Sequence, residues 1–242
     1  GFAYTVTGDE ATITGYTGSA KNIVIPSELG GKPVTAIADK AFEGYKNMVN
    51  IYIPKTIKTI GENAFREKID EARFICYEGT ENEWANIAIQ KGNEELDPEH
   101  ADDVPWFRLY ECNLSGDIVY QASDDAATLV RYFGSDSKVD IPAELGGKPV
   151  TEIGEWAFAY CSSLTEVTIP KSVTSIGDSA FYNCDALKTV YYGGSQTDWG
   201  KISIGSDNDP LLKAEIICAI QESNGFAYTV TGDEATITGY TG

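Results

Sequence analysis

The sequence contains little of several residue types on which enzymes depend. Among 242 residues there are one histidine, at position 100, one methionine and five cysteines. No GxSxG, HExxH or P-loop motif occurs, which excludes the usual serine hydrolase, zinc peptidase and nucleotide-binding sites. Carboxylate pairs can hydrolyse glycosides, but Asp102-Asp103 and Asp124-Asp125 are sequential pairs in loops, where solvation explains them. We therefore expect no catalytic residue, no metal and no cofactor.

Basic residues are also scarce, with 18 Lys and Arg against 37 Asp and Glu and a formal net charge of −19. Nucleic acids and anionic membranes are unsuitable partners, because phosphate contacts need clustered basic side chains. No stretch approaches the ~18–20 apolar residues of a membrane span. The acidity suits a secreted protein, or a cationic partner attracted at long range. No signal peptide occurs in the sequence, so any signal of a secreted protein would lie outside it.

The sequence does contain repeats. Residues 225–242 reproduce residues 1–18 letter for letter (GFAYTVTGDEATITGYTG), at an offset of 224, which predicts a tandem array with that period. A weaker repeat halves the period, because a shift of 116, and later 115, aligns the landmarks of the two halves. The aligned pairs include Tyr4 with Tyr120, Phe42 with Phe158, Phe65 with Phe181 and Trp84 with Trp199. We predict module one at 1–116, module two at 117–224, and the first hairpin of a truncated third copy at 225–242.

Each module contains a shorter repeat of 23 residues, within the range of leucine-rich repeats. Ile153 and Phe158 recur as Ile176 and Phe181, and Ile37 and Phe42 recur as Ile60 and Phe65. In 166–170, apolar and polar residues alternate as in a strand with one buried face. Pro170 ends that strand because it has no N–H for the ladder. We expect coils that stack Phe158 on Phe181 and Phe42 on Phe65 and depend on their neighbours for stability.

The start and the end of each module contain sequence patterns that predict a hairpin and a short helix. Alternation around a Gly8-Asp9 turn predicts a hairpin at the start of each module. Thr80-x-x-Glu83-Trp84 and Ser195-x-x-Asp198-Trp199 predict short helices, expected to place each Trp over the open end of the stack. The predicted fold is a leucine-rich-repeat-like solenoid, β-rich, with short parallel strands, turns and short capping helices. It forms two tandem modules, each opened by a β-hairpin.

The repeat phrase IPKSVTSIGDSAFYNCDAL (169–187) resembles that of the BspA-type (Treponema pallidum-type) leucine-rich repeat family. IPSELGGKPVTAIADKAF (25–42) and YYGGSQTDWGKISIGSDNDPLL (191–212) are similar to segments of large bacterial surface proteins of this type. The resemblance covers most of both modules. It implies a secreted or wall-attached bacterial protein, adhesion to host matrix proteins, host cells or other bacteria, and no catalytic residues.

The cysteines do not form a framework, because their number is odd and no CxxC occurs. Cys161 and Cys184 occupy the same position of adjacent repeats. A disulfide between them is sterically conceivable, although a column of buried free thiols is favoured.

Strand residues that point away from the core form columns across the stack, and these columns are the candidate binding surface. The candidates are Asn50, Tyr52 and Phe74 in module one and Glu166, Thr168 and Tyr191 in module two. Aromatic residues are favoured at interfaces. The alternative is that the outward aromatic side chains pack under neighbouring loops or between the modules.

The leading functional hypothesis is a non-catalytic bacterial cell-surface interaction or adhesion module that binds proteins or glycans on host or bacterial surfaces. The alternative is a structural spacer, since identical repeats let an array change length by recombination. A glycan-acting enzyme is the least favoured. The hairpin at 225–242 is expected to dock on the end of module two near Trp199 and 207–218, or to associate end to end with another chain, because an isolated hairpin is marginally stable.

Overall fold

A computed structural model provides the fold and describes residues 1–65, 73–93, 96, 106–223, 226–231 and 234–240. The chain divides into two compact units, Gly1–Cys112 (unit one) and Asn113–Gly242 (unit two). The predicted module boundary between residues 116 and 117 stays a prediction. His100 and the acidic loop around it lie outside the described residues.

Unit one is built from short strands stacked in two sheets. These are β1 (Phe2–Thr7), β2 (Glu10–Tyr16), β3 (Asn22–Val24), β4 (Glu28–Leu29), β5 (Lys32–Ile37), β6 (Asn50–Ile53), β7 (Thr59–Ile60), β8 (Arg73–Tyr77), β9 (Ala88–Ile89) and β10 (Trp106–Leu109). One sheet has the order β1-β2-β5-β7-β9 with β4 beside β5, and the other has the order β10-β8-β6-β3. The β1–β2 and β4–β5 pairs are antiparallel hairpins. The other pairs are parallel, as successive coils of a solenoid require.

Unit two repeats this plan. Its strands are β11 (Asn113–Ser115), β12 (Ile118–Ala122), β13 (Ala127–Tyr132), β14 (Lys138–Asp140), β15 (Glu144–Leu145), β16 (Lys148–Ile153), β17 (Glu166–Ile169), β18 (Ser175–Ile176), β19 (Thr189–Ser195), β20 (Ser203–Ile204), β21 (Glu215–Ser223), β22 (Phe226–Thr231) and β23 (Glu234–Tyr240). The sheet orders are β11-β12-β13-β16-β18-β20, with β15 beside β16, and β14-β17-β19-β21-β22-β23. The predicted β-rich solenoid with hairpin-opened modules is therefore confirmed.

The core of each unit is a continuous column of apolar side chains contributed by successive coils. Phe158 and Phe181 are fully buried, and their rings stack with centroids 5.1 Å apart and an interplanar angle of 6°. Phe42 and Phe65 stack in the same way at 4.8 Å. The coils also approach closely at Gly177, where an added Cβ would lie 2.6 Å from the backbone nitrogen of Glu155. The predicted stacking of both phenylalanine pairs is confirmed.

A buried asparagine in each unit joins neighbouring coils by hydrogen bonds. Asn208 accepts the Phe181 N–H at 3.0 Å through Oδ1, and its Nδ2 donates to the carbonyl oxygens of Gly177, Gly205 and Ser206 at 2.9, 3.0 and 3.2 Å. Asn93 makes the equivalent bond to the Phe65 N–H at 3.0 Å. Both asparagines are buried, at 1 and 3% exposure, so they satisfy backbone groups that water does not reach.

A two-residue hairpin joins β4 to β5 in unit one, and another joins β15 to β16 in unit two. Leu29 pairs with Lys32, so Gly30 and Gly31 form the turn, with φ of 60° and 73°. Gly146 and Gly147 repeat it with φ of 58° and 74°. Positive φ at both central positions is the requirement of a type I′ turn, which glycine meets without steric cost.

The helices are α1 (Glu81–Trp84), α2 (Gln196–Trp199) and α3 (Asp209–Lys213). Thr80 and Glu83 form the predicted capping box, and Ser195 accepts the Asp198 N–H at 3.1 Å. The prediction that α1 and α2 cover the open ends of the stacks is wrong. A further coil follows each helix, because β9 continues the ladder of β7, and β20 and β21 continue those of β18 and β19. Within the described part of the chain, no helix has the length and apolar character needed to cross a membrane.

The repeated C-terminal segment forms the predicted hairpin. β22 and β23 pair in the register of β1 and β2, with Phe226 opposite Tyr240 as Phe2 is opposite Tyr16. The hairpin joins the sheet through Ile220–Ser223 of β21, just beyond the segment 207–218 that was expected to receive it.

All five cysteines are free thiols, as favoured from the sequence. Cys184 donates its S–H to the carbonyl oxygen of Phe158 at 3.0 Å. Burial raises the pKa of Cys184 to about 12 and that of Cys161 to about 11. Both thiols are therefore held in the unreactive protonated form.

We expect Cys161 and Cys184 to resist iodoacetamide at pH 8 in the folded protein and to react readily in urea. A pKa near 11 leaves about a hundredfold less thiolate than the ordinary value near 9. Peptide mass spectrometry measures the labelling, and a mass lower by two hydrogens would instead reveal a disulfide. Because the folded-state pKa values are raised, the stability that these thiols contribute is present below pH 9 and is lost as the pH rises through 11 and 12.

Candidate interaction surfaces

The outer face of the second sheet of unit two brings three of the candidate residues together. Strand register places Glu166 between Lys138 and Thr189, and Thr168 between Asp140 and Tyr191. Ile217 of β21 follows Tyr191 in the same row. We call this surface the open face; its residues are Lys138, Asp140, Glu166, Thr168, Thr189, Tyr191, Glu215 and Ile217.

The open face combines an exposed apolar pair with charged and polar neighbours. Tyr191 and Ile217 are 38 and 39% exposed and lie on adjacent strands, which are about 4.8 Å apart in a sheet. Lys138 forms an ion pair with Glu166 at 2.9 Å, and that hydrogen bond and charge raise the pKa of the lysine. The Thr168 hydroxyl donates to the Asp140 carboxylate. Exposed aromatic side chains beside polar groups are common at protein interfaces.

The corresponding face of unit one is closed. Asn50, Tyr52 and Phe74 are only 4, 6 and 3% exposed. The Tyr52 hydroxyl donates to the carbonyl oxygen of Cys112 at 3.2 Å. The neighbouring Cys76 thiol and burial raise the pKa of the Cys112 thiol. The prediction that Asn50, Tyr52 and Phe74 form an exposed surface is therefore wrong.

The physical reason is that alternation fixes the side of the strand on which a residue lies, but not what covers that side. The segment that ends at Cys112 lies against β6 and β8, and it is distant from them in sequence. A sequence signal of the covered face is its apolar character. Module one has Tyr52, Phe74 and Cys76 where module two has Thr168, Thr189 and Tyr191. For Tyr52, the alternative of packing under a neighbouring segment describes the structure.

An aromatic ridge on unit two was missed by the sequence analysis. Trp156 and Tyr160 pack edge-on against Tyr182, with ring centroids 5.5 and 5.6 Å away. Their backbones are left-handed, with φ of 59° and 64°, as are those of Lys40, Ser179 and Asn183 at equivalent positions of other coils, so this conformation belongs to the turn. The shift of 116 aligns them with Lys40 and Gly44 of module one. Module two therefore has aromatic residues where module one has Lys and Gly, and this difference could have indicated the ridge.

A shallow acidic cavity of about 340 Å³ adjoins the ridge at Tyr182. The other lining residues are Asn183, Asp185, Leu187, Asp207, Asp209, Pro210 and Lys213. Lys213 is already paired with Asp209 at 3.0 Å. Among the residues that the structure describes, no group of three or more His, Cys, Asp or Glu side chains is arranged to hold a metal ion.

Comparison with known families gives a match over the stacked coils. A family model described as the BspA type leucine-rich repeat region, in six copies, matches residues 15–79 and 137–205. These stretches contain β3 to β8 and β14 to β20 and cover more than half of the chain. A search of curated proteins found no match.

Several solved structures are similar to the chain. A leucine-rich repeat protein from Bacteroides capillosus is 33% identical over 36% of this chain and 72% of that one, with a TM-score of 0.31. A leucine rich cell surface protein from Faecalibacterium prausnitzii is 19% identical, covering 84% and 96% of the two chains, with a TM-score of 0.30. The leucine-rich repeat protein of T. pallidum is 22% identical, covering 85% and 79%, with a TM-score of 0.27.

Proposed function

The chain belongs to the BspA-type leucine-rich repeat family, and we propose that it is a non-catalytic interaction module of a bacterial cell surface. The open face of unit two is the proposed contact surface, and the partner is a protein on a host or bacterial surface. Proteins of this family are typically not catalytic, and the sequence offers no nucleophile or base in a known catalytic motif. An extracellular location is part of the proposal; the similar Faecalibacterium prausnitzii protein is described as a cell surface protein.

The observation that carries the proposal is the contrast between the two units. Equivalent strands present buried side chains in unit one and an exposed Tyr191–Ile217 pair in unit two. Exposed aromatic and aliphatic side chains side by side are costly in water and contribute most of the binding energy when a partner covers them. Asp140 and Glu215 at the margin are exposed carboxylates, so the partner that fits best combines an apolar anchor with basic groups. Its association should slow as salt rises.

The proposed function is tested by a double substitution on the open face. Binding of the wild-type chain to matrix proteins, mucins and bacterial surfaces is compared with that of Tyr191→Ala/Ile217→Ala, at low and at physiological salt. We expect the double variant to lose about tenfold or more in affinity, because central apolar anchors dominate interfaces. Leu212→Ala is the matched control, since Leu212 is 62% exposed and lies outside the open face.

Each contrary result has a definite meaning. Wild-type binding that survives the double substitution would move the contact surface elsewhere, with the aromatic ridge as the next surface to test. Absence of binding across the panel would favour the second function, a structural spacer. The specific observation behind the spacer is that residues 225–242 are identical to residues 1–18, a repetition that suits arrays of variable length.

A further inference from the structure

Unit one contains two cysteines that the fold brings together, although they are 36 positions apart in the sequence. Cys76 lies on β8, and the residue opposite it on β10 is Leu109. The chain then turns at Glu111, where φ is 55°. The Cys112 N–H donates to the carbonyl oxygen of Tyr77 at 3.0 Å, and the Cys112 thiol donates to that of Leu109 at 3.4 Å. Cys112 therefore lies beside Cys76 on the closed face of unit one.

The surroundings of the two thiols suit a covalent link between them. Both cysteines are fully buried. Tyr52, the partner of Cys76 on β6, donates its hydroxyl to the Cys112 carbonyl oxygen at 3.2 Å. The Cys76 thiol is near enough to raise the pKa of the Cys112 thiol. Neighbouring hydrogen-bonded chains lie about 4.8 Å apart, and disulfides join Cα atoms that are about 4.4–6.8 Å apart.

The two modules differ at both cysteine positions together. The shift of 115 aligns Cys76 with Tyr191. In the strand pairing, Cys112 is three residues beyond the partner of Cys76, and Ile220 is three residues beyond the partner of Tyr191. Unit one therefore has a cysteine at both positions, and unit two has one at neither. A buried free thiol needs no partner, whereas a neighbouring pair that is present or absent as a pair indicates a cross-link.

We propose that Cys76 and Cys112 form a disulfide in the extracellular protein, and that this bond holds the segment 109–112 on the closed face. The inference rests on the proposed function for the extracellular location, because disulfides persist in oxidising compartments. It does not involve the open face, which lies in unit two. Failure of binding at the open face and failure of the disulfide to form are therefore separate results.

The bond forms while the chain folds, because in the folded chain both thiols are buried and burial keeps Cys112 protonated. The oxidant is a small disulfide. One cysteine thiolate attacks a sulfur of the oxidant and releases the other sulfur as a thiol. The second cysteine thiolate then attacks the mixed disulfide and releases the remaining thiol. The two protein thiols lose two electrons and two protons, and the oxidant is reduced to two thiols.

The disulfide is expected to stabilise unit one through the length of the loop that it closes. A cross-link restricts the unfolded chain, and its effect grows with the number of residues enclosed. The two cysteines are 36 positions apart, so the unfolded chain would lose much of its freedom. The segment 109–112, which contacts Tyr52 through Cys112, would then open less often.

The proposal is tested by refolding the full chain from urea, once in a buffer of oxidised and reduced glutathione and once with dithiothreitol. After refolding with glutathione, we expect trypsin to release residues 74–91 joined to residues 109–131, with a mass two hydrogens below that of the separate peptides. The Tm of unit one should be higher by about 5 °C or more than in the reduced chain. Amide exchange at 109–112 should be slower by about tenfold or more.

Serine variants identify the cysteines involved. Cys76→Ser and Cys112→Ser should each abolish the joined peptide and the difference in Tm between the two refolding conditions. Cys218→Ser is the matched control, since Cys218 is also buried but lies in unit two, where its thiol donates to Gln196 at 3.5 Å. This variant should keep both effects. The comparison of oxidised with reduced wild type needs no variant, so it stands even where a substitution impairs folding.

Three results would overturn the proposal. The first is a wild-type chain that circular dichroism shows to be folded while residues 74–91 and 109–131 remain separate. The second is a main product in which Cys76 or Cys112 is joined to a cysteine of unit two. The third is a bond between Cys76 and Cys112 that changes neither the Tm nor the exchange at 109–112, because the segment would then need no covalent link.

Discussion

Replacing Phe181 with alanine is expected to lower the free energy of unfolding of unit two by about 3–5 kcal/mol. The ring is fully buried and stacks on Phe158 at 5.1 Å, so the substitution removes apolar contacts and leaves a cavity between two coils. Each coil is stabilised mainly by its neighbours. Hydrogen exchange should therefore accelerate in the adjacent coils more than in unit one. Urea unfolding followed by circular dichroism gives the free energy, and exchange measured by mass spectrometry locates the loss.

Tyr182→Ala is the control for this experiment. Tyr182 follows Phe181 directly but is 36% exposed, and its replacement should cost less than that of Phe181, about 1–2 kcal/mol, chiefly for the lost ring contacts with Trp156 and Tyr160. Equal losses for Phe181→Ala and Tyr182→Ala would contradict the continuous buried column. So would a loss of exchange protection confined to residue 181 itself, because stacked coils share their stability.

Replacing Asn208 with leucine is expected to destabilise unit two by about 3–5 kcal/mol, although leucine is similar in size and more apolar. The side chain is 1% exposed and bonds to one N–H and three carbonyl oxygens. Leucine leaves these backbone groups without their side-chain partner, and an unsatisfied buried group costs about 1–3 kcal/mol. Urea unfolding of the variant at neutral pH measures the effect.

Asn208→Asp separates hydrogen bonding from packing. Aspartate keeps the oxygen that accepts the Phe181 N–H but, when ionised, directs no donor at the three carbonyl oxygens. We expect this variant to be at least as unstable as Asn208→Leu at neutral pH. It should recover as the pH falls, since burial among carbonyl groups favours the protonated carboxyl. A leucine variant as stable as wild type, or an aspartate variant insensitive to pH, would contradict the role assigned to Asn208.

Repetition in the sequence predicted most of the fold, because a residue that recurs at fixed spacing occupies the same environment in each coil. Phe158 and Phe181 were predicted to stack for this reason, and the Thr80 and Ser195 caps follow from local chemistry. The limits lie where one segment covers another. Tyr52 was assigned correctly to the outer side of its strand, but its burial depends on Cys112, which is distant in sequence. For the same reason, the outward candidates of module one are covered, whereas Glu166, Thr168 and Tyr191 of module two are at least partly exposed.

Asn208 illustrates a different limit. It lies outside the 23-residue phrase, and only the shift of 115 between the modules aligns it with Asn93. A polar residue in an acidic, loop-like sequence is usually interpreted as solvated. Here, however, the Asn208 side chain is buried and donates hydrogen bonds to backbone carbonyl oxygens of the turns. Trp156 and Tyr160 were equally hidden, because their left-handed backbones are a property of the turn and not of the residue type.

The Gly30-Gly31 and Gly146-Gly147 turns are the positions at which this protein can accept inserted residues. Close approach at Gly177 leaves no room between coils, so extra residues placed within a coil would push its neighbours apart. At the diglycine turns the chain leaves the stack and returns over two residues, and Gly31 and Gly147 have open space beside them. New loops, natural or grafted, can therefore be inserted at these turns while the stacked coils keep their register.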